Sequence, residues 1–187
     1  MNETELKAYF FPEEKEIIEN IQSKIEKKIN KQFFTEQIVD IFLDKSRELK
    51  KRNCELRLRK QGEKYYLTYK GKVDTSQGYK IREELETQIS DGIVLESIFK
   101  RMGYKKIREV KKERKFLNYN NCLITIDFFK KIGFVIEIEG TQDDIEKTIS
   151  FFSLDRQRFK AQTYTDILKL YHISNEKKIK TIKNEEP

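Results

Sequence analysis

Residues 54–70 read Cys-Glu-Leu-Arg-Leu-Arg-Lys-Gln-Gly-Glu-Lys-Tyr-Tyr-Leu-Thr-Tyr-Lys. Leu56 and Leu58 alternate with Arg57 and Arg59. A Gln61-Gly62-Glu63 turn follows, and the Tyr- and Thr-rich run from Lys64 to Lys70 completes a hairpin. Period-two alternation puts both arginines on one face of their strand and both leucines on the other. The fold depends on where that charged face looks.

The same alternation recurs along the chain. Glu3, Glu5 and Lys7 alternate near the N-terminus, Arg82, Glu84 and Glu86 within Tyr79 to Ile89, Lys112 and Arg114 within Tyr104 to Leu117, and Glu137 and Glu139 within Phe134 to Gly140. Lys70 ends the hairpin, and Asp127 stands near the end of Cys122 to Phe128, after an Asn118-Tyr119-Asn120-Asn121 turn. A short strand is also expected over residues 37–43. In one strand a charged face is an ordinary solvated surface, laced by cross-strand ion pairs. Repeated strand after strand, it also fits a closed barrel whose charges line the lumen and whose apolar faces pack outward under helices.

Helical stripes able to cover such faces are present. Ile17, Ile18, Ile21, Ile25 and Ile29 share a face within residues 13–29, as do Ile93, Val94, Ile98 and Met102 within 91–102, where Gly103 is a stop signal. Ile145, Thr148, Ile149 and Phe152 do the same within 142–153, and a short helix is expected from Thr165 to Tyr171. The two halves share a rhythm of strand, helix and several strands, which suggests an approximate duplication.

Composition narrows the function. The 187 residues suit one domain, expected over 1–173, with a flexible tail over 174–187. A net charge of +7 conceals two basic blocks: residues 45–72 and 100–131 each hold eleven basic and three acidic side chains, a net of +8 apiece, leaving −9 for the rest. No apolar run nears the ~18 residues of a membrane span. The charged start, Met1 to Lys7, does not read as a signal peptide, so a cytoplasmic protein is expected. Cys54, Cys122 and His172 have no zinc-site spacing; the cysteines read as small core residues and His172 as a surface residue.

A lumen lined by both signs calls for a ligand bearing both. Arg57, Arg59, Lys70, Arg82, Lys112 and Arg114 suit phosphate oxygens, by bidentate pairing or as point charges. Carboxylates can meet phosphate through a divalent cation such as Mg²⁺, which takes oxygen ligands from carboxylates and substrate phosphates together.

In their order these residues resemble the CYTH superfamily, the triphosphate tunnel metalloenzymes. Glu3-x-Glu5-x-Lys7 looks like its ExExK signature. The series continues with Leu56 to Arg59, Leu67 to Gly71, Arg82-x-Glu84-x-Glu86, Val110-x-Lys112-x-Arg114, Ile126-Asp127, Ile132 to Glu139, and a closing Thr163-Tyr164-Thr165-Asp166-Ile167-Leu168. Thr163 stands where Ser is usual, and Pro12 to Phe34 is longer than the family core needs. The pattern is most similar to class IV adenylyl cyclases.

The resemblance implies an α+β fold, an antiparallel eight-stranded barrel with helices outside, holding a triphosphate and Mg²⁺ or Mn²⁺. Carried over by position, it implies Glu3, Glu5 and Glu137 as metal ligands, with Glu84, Glu86 and Glu139 in the same acidic cluster. Lys7, Arg57, Arg59, Lys70, Arg82, Lys112 and Arg114 would bind phosphates. Glu5, Lys112, Arg114 and Asp127 would stand at the chemistry, the role of Asp127 being left open. The leading expectation is an adenylyl cyclase acting on ATP. The alternative is a triphosphatase acting on tripolyphosphate, thiamine triphosphate or a nucleotide. A third reading is a non-catalytic binder of RNA or polyphosphate, against which the acidic alternations count. No membrane partner is expected, and monomer and homodimer both stay open.

Overall fold

The computed structural model describes residues 2–171. Its strands are β1 (Asn2–Phe10), β2 (Phe34–Asp44), β3 (Glu55–Gln61), β4 (Lys64–Lys70), β5 (Lys80–Ile89), β6 (Lys105–Tyr119), β7 (Cys122–Phe129) and β8 (Gly133–Glu139). All neighbours pair antiparallel, and the sheet closes in the order β1-β5-β4-β3-β2-β6-β7-β8. The helices are α1 (Lys15–Ile29), α2 (Glu48–Lys51), α3 (Gly92–Arg101), α4 (Gln142–Phe151) and α5 (residues 164–171). Apart from α2, each half runs strand, helix, three strands, and the opening strand of each half pairs with the last strand of the other. The duplicated rhythm of the sequence is thus a property of the topology.

The outward faces form the core. Leu6, Ala8 and Phe10 on β1, Ile124 and Ile126 on β7, and Ile136 and Ile138 on β8 are buried with Ile18 and Ile25 of α1 and Ile145 and Ile149 of α4. Each such Leu, Ile or Phe side chain contributes about 1.5–3 kcal/mol by leaving water. The barrel therefore carries its hydrophobic core between sheet and helices, which frees the lumen for charge. The stripe on α3 behaves differently. Ile93, Val94, Ile98 and Met102 are exposed, while Leu95 and Phe99 are half-buried on the side toward β3.

Element boundaries differ from the local pattern where strand pairing extends beyond it. β2 begins at Phe34, not residue 37, because its ladder to β6 continues to Phe34 opposite Phe116. β6 runs on through Tyr119, so the Asn-rich turn shrinks to Asn120-Asn121, both left-handed (φ 41° and 53°). Pro12–Glu14 is a 3-10 turn ahead of α1. The short α2 has no apolar stripe to announce it. It is anchored by the Asp44 carboxylate, which accepts from the Leu49 and Lys50 amides at 3.1 Å each. At the β7–β8 turn, Gly133 (φ +116°) lets the backbone pass Phe10, whose carbonyl oxygen would lie 2.3 Å from any Cβ there. His172 and the tail from 174 lie outside the described residues.

Candidate functional site

Strand register brings the alternating charges together inside the barrel. Pairing of β1 with β8 sets Glu5 opposite Glu139 and Lys7 opposite Glu137. Pairing with β5 sets Glu3 opposite Arg82 and Glu5 opposite Lys80. The resulting tunnel is a cavity of about 1470 Å³.

One wall is acidic. Glu3, Glu137 and Glu139 each offer a carboxylate oxygen within 4.8 Å of the others. Burial, and then the charges of Glu3, Glu137, Glu5 and Glu84, push the Glu139 carboxyl up to about 8. Glu3 is also raised, by burial and by its hydrogen bond with Glu84. Such an all-oxygen set, in which Glu139 has only carboxylates among the charges that shift it, fits a hard divalent ion. Glu137 is held well below the usual carboxylate range: burial opposes its charge, but Lys7, Arg114 and Lys80 outweigh it.

The other acidic residues of the series are placed differently. Glu5, 1% exposed, is ion-paired with Lys7 and Lys80. Glu84 pairs with Lys70 and lies 3.4 Å from Arg57. Glu86 sits apart at the rim, exposed, on Arg57 (3.2 Å) and Thr68 (2.7 Å).

The basic wall is equally crowded. Arg59 donates to Asp40 through Nε (2.7 Å) and Nη2 (3.0 Å). Arg114 donates to Asp127 through Nε (2.6 Å) and Nη2 (2.7 Å), and Lys112 Nζ donates to the same carboxylate at 2.7 Å. Burial first, then Arg114 and Arg59, pull the Lys112 ammonium down to about 8, against the opposing charges of Asp127 and Asp40. Lys70 reaches Glu3 at 3.1 Å, and Arg82 donates to the Gly71 carbonyl at 2.9 Å and to Glu55 at 3.1 Å. Over the chamber, α5 lowers Tyr164. Its hydroxyl donates to Asp127, and its ring faces Lys7 and Lys112 at 5.2 and 5.0 Å. Burial, Asp127 and Glu137 raise this phenol well above its ordinary range.

Five residues that the sequence pattern does not single out for the site prove to line it: Asp40, Glu55, Lys80, Arg108 and Tyr164. Lys80 is legible, standing in phase with Arg82 and Glu84. Asp40 carries a weaker signal, a lone acid between Val39 and Ile41. Tyr164 lies inside the closing motif, but nothing local says that it points inward. Cys54 and Cys122 are buried and unpaired, as expected of core residues.

The CYTH domain profile matches residues 1–180. The chain belongs to the CYTH family. This triphosphate tunnel family uses divalent metals, and its members are adenylyl cyclase-like or triphosphatase enzymes. A Methanocaldococcus jannaschii protein named "Putative adenylate cyclase" is 30% identical over 148 residues, covering 79% of this chain and 81% of that protein. The solved PH1012 protein of Pyrococcus horikoshii OT3 superposes with a TM-score of 0.70 at 25% identity, over 88% of this chain and 98% of that one. A Hippeastrum protein described as a "putative adenylyl cyclase" that reveals a dominant triphosphatase activity shares the CYTH fold at a TM-score of 0.60 and 14% identity, over 86% of this chain and 90% of that one. Among the described residues no helix is long and apolar enough to cross a membrane.

Proposed function

We propose that this CYTH protein converts ATP to cyclic AMP and pyrophosphate inside the tunnel, with Mg²⁺ or Mn²⁺. The observation that carries the reading is a pair of opposite frustrations in one chamber. Burial and then neighbouring carboxylates raise the Glu139 carboxyl to about 8, and burial and then Arg114 and Arg59 lower the Lys112 ammonium to about 8. A metal-bound triphosphate relieves both at once, because the cation meets the acidic wall and the phosphates the basic one. The name carried by the Methanocaldococcus relative supports the choice of ATP.

Glu3, Glu137 and Glu139 would hold the metal, which when bound neutralises phosphate charge and acidifies the attacking hydroxyl. Arg57, Arg59, Lys112 and Arg114 exchange their carboxylate partners for phosphate oxygens and fix the triphosphate along the tunnel. That fixes the ribose 3′-hydroxyl in line with the α-phosphorus, where intramolecular attack gains from proximity. Tyr164, its proton held firmly, serves as a hydrogen-bond donor and not as a base. Incubation with ATP and Mn²⁺ or Mg²⁺ should yield cyclic AMP and pyrophosphate in equal amounts. Release of inorganic phosphate alone would overturn the cyclase reading.

That outcome would favour the second reading, in which water attacks the terminal phosphorus. The phosphate grip is common to both reactions, and a protein with this fold, the Hippeastrum one, is described with a dominant triphosphatase activity. Comparing turnover of ATP with that of tripolyphosphate separates them. Arg57, Arg59 and Lys112, three of the basic residues on which an RNA-binding reading would draw, are buried inside the barrel.

The acidic wall makes a prediction of its own. With the Glu139 carboxyl raised from 4.5 to about 8, folding takes up a proton between those values, so the metal-free protein loses this contribution as pH rises through that window. Glu139→Gln should leave the metal-free melting temperature at pH 7 unchanged or higher, while weakening divalent-metal affinity by at least the ~10–100-fold that loss of a mere outer-shell partner costs. A lower melting temperature with intact metal affinity would contradict both halves.

A further inference from the structure

The charged grip does not by itself tell a nucleotide from inorganic tripolyphosphate. Beyond Arg57 the tunnel wall changes character. Phe42 points inward from β2, paired with Arg57 of β3 on one side and Arg108 of β6 on the other. The Arg108 guanidinium carbon lies 3.9 Å from the Phe42 ring centroid. Its Nη2 donates to Glu55 at 3.1 Å, and the other Glu55 oxygen accepts from Arg82, also at 3.1 Å. The guanidinium plane is thus fixed by a ring behind it and a carboxylate at its edge. Its Nε is buried and has no hydrogen-bond partner among the described residues.

The backbone is specialised at the same point. The β2–β6 register shifts between Phe42 and Leu43, leaving Ile107 as the extra residue of a β-bulge. Bulges re-aim side chains at barrel rims and beside active sites. Ile107 is 57% exposed yet lines the same cavity as Arg108. An ion pair serving only the wall would need neither a ring beneath the guanidinium nor an exposed isoleucine beside it.

We infer that Arg108 is the platform on which the nucleobase of a nucleoside triphosphate stacks, on the face away from Phe42 and beside Ile107. The inference rests on the reading that a triphosphate occupies the tunnel. Bases stack on arginine planes, a contact that the point charge of lysine cannot replace. The location follows from the ladder. Phe42 stands opposite Arg57 and two residues beyond Asp40, the partner of Arg59, so the platform adjoins the phosphate grip at Arg57 and at Arg82, which shares Glu55 with Arg108.

The test is titration calorimetry with Mg²⁺ present, using ATP and tripolyphosphate as ligands and comparing wild type, Arg108→Lys and Phe42→Leu. Arg108→Lys keeps the charge and loses the plane; Phe42→Leu keeps apolar bulk and loses the ring that holds the plane. Both should weaken ATP by about tenfold or more, the order of a lost base stack, while tripolyphosphate affinity stays at the wild-type value. Equal weakening of both ligands would make Arg108 a phosphate contact, and unchanged ATP affinity would make it a wall residue; either overturns the platform. If Arg108→Lys fails to fold, Phe42→Leu carries the same comparison. Wild type binding neither ligand would defeat the tunnel reading itself, a result distinct from the loss of the platform alone.

Discussion

Asp127→Ala should destabilise the protein by about 3–5 kcal/mol, the cost of leaving buried charge uncompensated. Asp127 is fully buried and accepts from Lys112, from Arg114 twice and from the Tyr164 hydroxyl. Removing it strands two cations in a chamber that already crowds them. The pairing also sets an acid limit. Burial opposes the Asp127 charge, but Arg114 and Lys112 outweigh it and lower its carboxyl from 3.8 to about 2. This stabilisation is fully present above pH 3.8 and is lost as pH falls through 2. The site reading adds a signature that a purely structural carboxylate lacks. Tripolyphosphate with Mg²⁺ supplies the missing negative charge, so it should raise the melting temperature of Asp127→Ala by more than it raises that of wild type. A wild-type melting temperature in the variant would contradict the burial argument, and an equal ligand shift would separate Asp127 from the phosphate site.

Lys112→Met carries the opposite expectation, with little change in stability and a large loss of activity. Its ammonium is fully buried between Asp127 and Asp40, but Arg114 and Arg59 surround it, and its proton is held only to about 8. Methionine retains the stem's packing and relieves the repulsion, while Arg59 still satisfies Asp40 and Arg114 still satisfies Asp127. With a triphosphate bound as proposed, the balance would reverse, because the phosphate oxygens would add negative charge to offset Arg114 and Arg59. Loss of a group that neutralises developing charge should lower kcat by about 10²–10³-fold. The check is paired: thermal unfolding without ligand, and turnover of ATP and tripolyphosphate with metal. A variant that unfolds readily yet turns over normally would show Lys112 to be structural.

Much of the barrel is legible in the chain itself. The Leu56-Arg57-Leu58-Arg59 alternation and its repeats define strands with two unlike faces, since the side-chain period of two is local geometry. Ile18 with Ile25 and Ile145 with Ile149 mark the helices that cover the apolar faces. Those cues stop where pairing partners enter. Phe34 to Glu36 become strand because β6 lies alongside, and four-residue α2 is held by Asp44 and not by any periodicity. For α3 the stripe of Ile93, Val94, Ile98 and Met102 identifies a helix, but helical spacing does not say which face the barrel takes. Leu95 and Phe99 turn toward it instead.

The candidate site divides along the same line. Residue types and their alternation, fixed by the chain alone, determined that Arg, Lys and Glu would occupy one face of successive strands. That set implied phosphate and a divalent cation as partners, and it placed the chain beside the CYTH family. Only the tertiary structure decided which charges meet, because that depends on the register between strands distant in sequence. It grouped Glu3 with Glu137 and Glu139, drew Glu5 onto Lys7 and Lys80, set Glu86 at the rim, and brought in Asp40 and Tyr164. The protonation balance of Glu139 and Lys112 belongs to that second class. Crowding and burial are properties of a closed lumen, and no single strand possesses them.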